Sequence, residues 1–242
     1  MSAFLSNMSH ELRTPMHHIL GYSSLGKENI GKANPEKLLM YFSEIKTSGD
    51  RLMLLLNDLL DLSKLESGQT KYAIKKADLS LTIEHLISEF SNDVTTKSIL
   101  LEMRKPEFST VISYDELRIG QVIRNLLSNA VKFTPVGKSI LVSLENEGQL
   151  DGKRHTDKNT IPALTVCVKD EGIGIPDHEL ESIFDKFIQS SRTQTNAGGT
   201  GLGLSICHEI IRAHHGKIWA ENNSEGGATF CFMLPYEQGP FR

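Results

Sequence analysis

What this 242-residue chain lacks narrows its function before any motif is read. Cysteine occurs three times, as Cys167, Cys207 and Cys231, with no CxxC pair and no Cys/His cluster of zinc type. That excludes a zinc module and a disulfide framework legible from spacing, and leaves the expectation of three reduced core residues in a cytosolic protein. No apolar run approaches the roughly 18 to 20 residues that cross a bilayer. The opening MSAFLSNMSH has no charged-then-apolar signal pattern. A basic excess is also missing. Lys and Arg number 26 against 30 Asp and Glu, a net charge of -4, so nucleic acid is not the expected partner and any anionic ligand needs a local site.

What is present divides into two parts. Leu5, Met8, Leu12 and Ile19 alternate at steps of three and four, with Pro15 at the missing step, as a heptad seam does. Asn34 and Pro35 then signal a new helix, expected over Pro35 to Glu66. Its seam is Leu38, Phe42, Ile45, Leu52, Leu56 and Leu59, widened by Leu39, Met53 and Leu60. Two helices cannot enclose so wide a stripe, so the hairpin is expected to pair with a second copy into a four-helix bundle. The alternative is a hairpin packed on the chain's own second part. Gly68 ends the helix and a short strand is expected around Tyr72 to Ile74. Beyond it come a helix over 81–94, strands in SILLEMR and STVISY, and a helix over 115–133 capped by Asp115. Antiparallel strands in KSILVSLEN and PALTVCVKD, a helix over 202–215 and a closing strand pair follow. Fold class is therefore a helical hairpin followed by an α+β two-layer sandwich, divided as 1–68, a linker 69–78, and 79–242.

Three constellations carry chemistry. Asn125, Asn129 and Lys132 share one helical face, where amide oxygens suit Mg²⁺ and an ammonium suits phosphate, although an exposed polar face would read the same way. Asp170 ends an apolar strand and is followed by Gly172 and Gly174, as in a ligand-contacting turn or an ordinary tight one. Gly198, Gly199, Gly201 and Gly203 stand at the mouth of a helix, where free N–H groups favour phosphate and glycine also serves packing. The polar FDKFIQSSRTQTNAGG between the two loops suits a mobile lid. Familiar phosphate motifs fail: GKS lacks the Walker glycine, and GTGLG lacks the dinucleotide spacing.

In order, NLLSNAVKF, DEGIGIP, FDKF and GGTGLGLSI resemble the ATP-binding boxes of sensor histidine kinases, and SHELRTP resembles their phosphoacceptor box. The resemblance covers nearly the whole chain. It implies a Bergerat-type ATP site, shared with gyrase-like ATPases and MutL proteins, with ATP and Mg²⁺ as cofactors. Asn129 would hold the metal, Asn125 would stand beside it, and Lys132 would reach the phosphates. Asp170 would accept from the adenine amino group, Gly172 and Gly174 would shape its pocket, and Gly199, Gly201, Leu202 and Gly203 would close over the triphosphate. Phe184 and Phe187 would anchor the lid as well as serve as core aromatics. Glu171 stands where a small or hydroxyl residue is usual, and Gln189 where an arginine often follows. Hydrolytic members of the superfamily carry a water-activating glutamate four residues before the metal asparagine. Here that residue is Asn125, a poor base.

Another nucleophile is then needed, and His10 is the candidate. It falls at the heptad position remote from the seam and faces solvent, with the carboxylate of Glu11 beside it. The resemblance implies that His10 takes the γ-phosphoryl group and passes it to an aspartate of a response-regulator receiver domain. Thr14 matches the position associated with removing phosphate from the receiver, and Pro15 introduces a flexible point beneath His10. The expected protein is a homodimeric, cytoplasmic histidine kinase core from a longer parent that could itself be membrane-anchored. A gyrase-like hydrolytic ATPase and a non-catalytic docking module are the competing readings.

Overall fold

The computed structural model describes residues 2–150, 161–192 and 200–238. Helices α1 (Ser2–Asn29) and α2 (Pro35–Glu66) form the hairpin. Asn34 caps α2 by accepting the Lys37 N–H at 2.9 Å, and Pro35 sits in the first turn, where a missing N–H costs nothing. Pro15 lies buried inside α1, which runs on through it, and cannot supply the N–H that the Glu11 carbonyl would accept.

The face that α2 buries within this chain is Tyr41, Ser48, Leu55 and Leu62 at steps of seven, together with Leu65. Tyr41 meets Tyr22 of α1, ring centroids 5.9 Å apart. Leu55, Leu62 and Leu65 join the core of the second part, so the C-terminal half of α2 docks on the chain's own α/β layer. Of the seam expected from periodicity, Phe42, 66% exposed, and Leu56 face outward, while Leu38, Ile45, Leu52 and Leu59 of α2 and Met8, Leu12 and Ile19 of α1 are half-buried. The side chain of Leu5 lies outside the described residues.

After α2 the chain forms β1 (Lys75–Asp78), antiparallel to β3 (Val111–Tyr114). The strand expected at Tyr72 to Ile74 thus begins later. Tyr72 is held edge-on to His214 and the Ala73 N–H is bonded to Asp115 at 2.8 Å, so both are spent before the ladder starts. The helix expected over 81–94 is two, α3 (Leu79–Glu89) and α4 (Ser91–Thr96), separated where Phe90 donates to the Ile87 carbonyl in a tighter turn.

A five-stranded sheet runs in the order β2 (Leu100–Met103), β4 (Ser139–Leu150), β5 (Ile161–Asp170), β7 (Ala228–Pro235) and β6 (Lys217–Asn222). Among the described strands of this sheet only β2 and β4 pair in parallel. Helices α5 (Glu116–Phe133) and α6 (Gly203–Ala213) lie with α3 over one face. Leu126 and Leu127 of α5, Val166 and Val168 of β5, Phe232 of β7 and Ile210 of α6 are buried together. A hairpin followed by a two-layer α/β sandwich is the expected class. No helix among the described residues is long and apolar enough to cross a membrane.

The cysteine expectation is corrected. Cys167 and Cys231 stand directly opposite on β5 and β7, Cα atoms 4.1 Å apart, and are disulfide-bonded; only Cys207 is free, and it is buried. Cross-strand register brings together residues 64 apart in sequence, which spacing alone cannot show.

Candidate nucleotide and phosphoacceptor site

One amphipathic helix positions half of the site. The buried face of α5 pins it to the sheet, and its opposite face presents Asn125, Asn129 and Lys132 to a cavity of about 490 Å³. Asn129 Nδ2 donates to Asn125 Oδ1 at 3.5 Å, which turns the Asn129 carbonyl oxygen the other way. Asn125 Nδ2 donates to the thiol sulfur of Cys207 at 3.2 Å. Burial, and secondarily the positive charge of Arg51, hold the Lys132 ammonium below its usual range.

The opposite wall begins where β5 ends. Asp170 Oδ1 accepts the Gly172 N–H at 2.8 Å and the Ala228 N–H at 3.2 Å. Burial pushes this carboxyl above the usual carboxylate range, against the pull of those two N–H groups. A Cβ at Gly172 would stand 2.7 Å from Asp170 Oδ1 and 2.8 Å from the Phe133 carbonyl, so only glycine lets the turn close. A Cβ at Gly203 would stand 2.5 Å from the Asn125 amide and would displace that side chain. Ile173, Ile175, Ile183, Ile188 and Phe230 supply an apolar floor suited to a flat ring.

Of the residues singled out from sequence, Asn125, Asn129, Lys132, Asp170, Gly174, Gly201 and Gly203 line this one cavity. Gly172 stands behind Asp170, Leu202 is wholly buried, and Phe187 donates its N–H to the Gly201 carbonyl at 2.8 Å. Phe184 packs edge-on against Phe230 as a core aromatic. Residues 193–199 of the expected lid, Gly198 and Gly199 among them, lie outside the described residues. Glu171 caps β4 by accepting the Ser139 N–H at 2.8 Å, which holds its carboxyl below the usual range, and Gln189 lines the cavity.

Sequence reasoning missed a wall that α2 provides. Leu54 and Asp58 line the cavity, and Asp58 accepts the Thr200 hydroxyl at 2.7 Å. Asp61 accepts from Arg118 at 3.3 Å and Gln121 at 3.1 Å, and Glu66 pairs with Lys186. Carboxylates at 58, 61 and 66 in the leucine-rich C-terminal half of α2 were the signal available. Burial raises the Asp58 carboxyl, opposed by the Thr200 hydroxyl.

His10, Glu11 and Thr14 do not line the cavity. The His10 side chain is 76% exposed, with Nδ1 3.9 Å from Glu11 Oε1. Glu11 Oε2 accepts from Arg51 of α2 at 3.4 Å, and the Thr14 hydroxyl donates to the His10 carbonyl at 3.3 Å. An exposed imidazole with one nitrogen turned to a carboxylate can act as a nucleophile through the other. The cavity offers amide oxygens for a hard cation, an ammonium for phosphate and a buried carboxylate for an amino group, a donor set that fits Mg²⁺ and a purine nucleotide.

Residues 114–238 match the family model described as histidine kinase-, DNA gyrase B-, and HSP90-like ATPase, and residues 1–68 match the His Kinase A (phospho-acceptor) domain. The autoinducer 2 sensor kinase/phosphatase LuxQ of Vibrio vulnificus (strain YJ016) is 36% identical over 240 residues, which are 98% of this chain and 26% of LuxQ. Histidine kinase ThkA, solved in complex with response regulator protein TrrA, aligns with a TM-score of 0.71 at 26% identity, over 96% of this chain and 60% of that one. Full-length ShkA in complex with AMPPNP aligns with a TM-score of 0.67 at 25% identity, over 97% of this chain and 46% of that one. With both halves matched in the order their motifs require, this chain belongs to the sensor histidine kinases and is a catalytic core of that family.

Proposed function

We propose that the chain phosphorylates itself on His10 from Mg-ATP and passes the phosphoryl group to an aspartate of a response-regulator receiver domain. The observation that carries this reading is the state of Asn125. It occupies the place of the hydrolytic glutamate and is bonded to the buried Cys207 thiol, so no base stands there to activate water. The hydrolytic alternative lacks its central group, and the exposed His10 with Glu11 supplies a nucleophile instead.

Glu11 Oε1 lies 3.9 Å from His10 Nδ1, and once the two close to a hydrogen bond Nδ1 would carry the proton and Nε2 the lone pair. Nε2 forms the bond to the γ-phosphorus, the bond from that phosphorus to the β-bridging oxygen breaks, and ADP leaves with the electron pair. Glu11 takes up the Nδ1 proton. Asn129, with Asn125 beside it, would hold Mg²⁺, whose charge offsets that of the phosphates, and Lys132 would reach them. Asp170 would accept from the adenine amino group, Gly172 and Gly174 would shape the ring's pocket, and Gly201, Leu202 and Gly203 with the Phe187 backbone would form the near side of the lid. Because α2 already forms one wall of the cavity, closing the gap to His10 is a movement between α1 and the α/β part rather than assembly of a new site.

Thr14 stands one turn after His10, where it would serve dephosphorylation of the receiver. The outward stripe of Leu39, Phe42, Met53, Leu56 and Leu60 supports pairing of two hairpins into a four-helix bundle. The ThkA complex with a response regulator supports a receiver as partner. A reaction that draws on ATP would run in the cytoplasm. Incubation with γ-labelled ATP and Mg²⁺ tests the reading: acid-labile, alkali-stable label that disappears in His10→Ala is expected, and free phosphate without labelled protein would overturn it.

A further inference from the structure

Arg51 stands at a junction that the proposed reaction has not used. It belongs to α2, forty residues from Glu11 in sequence, and its Nη2 lies 3.4 Å from Glu11 Oε2. The other Glu11 oxygen, Oε1, faces His10 Nδ1 at 3.9 Å. One carboxylate therefore bridges the imidazole of α1 and the guanidinium of α2. Arg51 Nε is buried without a hydrogen-bond partner, so that edge of the guanidinium is packed against the protein although the side chain as a whole is 40% exposed. Residues three and seven positions further along the same helical face, Leu54 and Asp58, are the ones that wall the nucleotide cavity.

We propose that Arg51 is a positioning residue for phosphoryl transfer: it fixes Glu11 so that the carboxylate stays turned to His10 Nδ1 and leaves Nε2 facing the incoming phosphate. A glutamate on an exposed helix face samples several rotamers, and an ion pair to a second helix selects one. A planar guanidinium suits this better than an ammonium because its donors are fixed in direction. Pro15 makes the bracing useful, since the α1 backbone just beyond Glu11 lacks a hydrogen bond that would stiffen it. Lys132 feels the Arg51 charge, which agrees with Arg51 facing the cavity side of α2.

This inference rests on His10 being the phosphoacceptor, and the experiment separates the two. Autophosphorylation rates are measured over a range of ATP concentrations for wild type, Arg51→Met, Arg51→Lys, Glu11→Gln and the Glu11→Gln/Arg51→Met double variant. Arg51→Met should lower kcat on the order of 10- to 100-fold with the KM for ATP unchanged. Arg51→Lys, which keeps the charge and the stem, should recover part of the loss and shows that the site still folds. In the Glu11→Gln background, Arg51→Met should cost nothing further, because the group it acts through is gone. An unchanged kcat in Arg51→Met, a loss confined to KM, or an equal loss in the Glu11→Gln background would overturn the role. Absence of label on wild-type His10 would instead overturn the kinase reading, and this inference with it.

Discussion

The hairpin and the α/β layer spend their apolar residues differently. In the α/β layer, Leu127, Val166, Val168 and Phe232 are buried against one another within a single chain. In the hairpin, a stripe of large apolar residues is turned to solvent, Leu39 being 67%, Phe42 66% and Leu60 59% exposed. One region is therefore a finished fold, and the other is a fold that needs a second surface to be complete. The join between them has an apolar centre, Leu55, Leu62 and Leu65, and a polar rim, where Asp58, Asp61 and Glu66 of α2 each take a partner from the α/β layer. A polar rim around three leucines suits parts that separate and re-dock, as a helix-borne nucleophile and a remote nucleotide would require.

The comparison is broken most severely by emptying one core and trimming the other stripe. Leu127→Ala should cost about 2–5 kcal/mol in denaturant unfolding, whatever the protein concentration. Phe42→Ala should show a destabilisation that grows on dilution, as expected of a residue buried only between copies. Equal, concentration-independent losses at both sites would remove the distinction.

The join is tested next. Thr200→Val removes the hydroxyl that Asp58 accepts and leaves a part-buried carboxylate unsatisfied, so α2 docking should weaken by about 1 kcal/mol. No change in the unfolding midpoint or in protection of the Asp58 region from exchange would show the contact to be incidental.

A smaller effect separates ligand binding from stability at Asp170. Its carboxyl is raised by burial, so ionisation opposes folding; its stabilising contribution is present below the unfolded value of about 3.9 and is lost as pH rises through the folded value. Asp170→Asn keeps an acceptor for the Gly172 and Ala228 N–H groups and removes the charge. Without nucleotide this variant should hold its stability better than wild type as pH rises toward 7, while losing affinity for ATP. A variant less stable than wild type at neutral pH would contradict the assignment. The smallest effect is expected at Cys207, whose thiol burial pushes up to about 12. It should resist alkylation at pH 8 in the folded protein and react at the rate of unfolding.

Much of this comparison was legible in the sequence because it depends on local rules. The limits of α2 follow from the Asn34 cap with Pro35 and from Gly68, and α5 begins where Asp115 caps it. Asn125, Asn129 and Lys132 share a face because helical spacing forces it. Partners far apart in sequence were not legible. Tyr72 and Ala73 delay β1 because His214 and Asp115 take them first. The Cys167–Cys231 bond depends on strand register. The α2 wall of the cavity, and Arg51 against Glu11, depend on how two regions dock. Periodicity found an apolar stripe on α2 but could not show that a second one, through Tyr41, Leu55 and Leu62, serves this chain's own core.

The central claim is that an exposed His10, oriented through Nδ1, receives phosphate on its other nitrogen. Phosphorus–nitrogen correlation by nuclear magnetic resonance, on protein incubated with Mg-ATP, locates the bond directly. The geometry around Glu11 predicts phosphorus on Nε2 of His10; phosphorus on Nδ1, on another residue, or found only as free phosphate would contradict it.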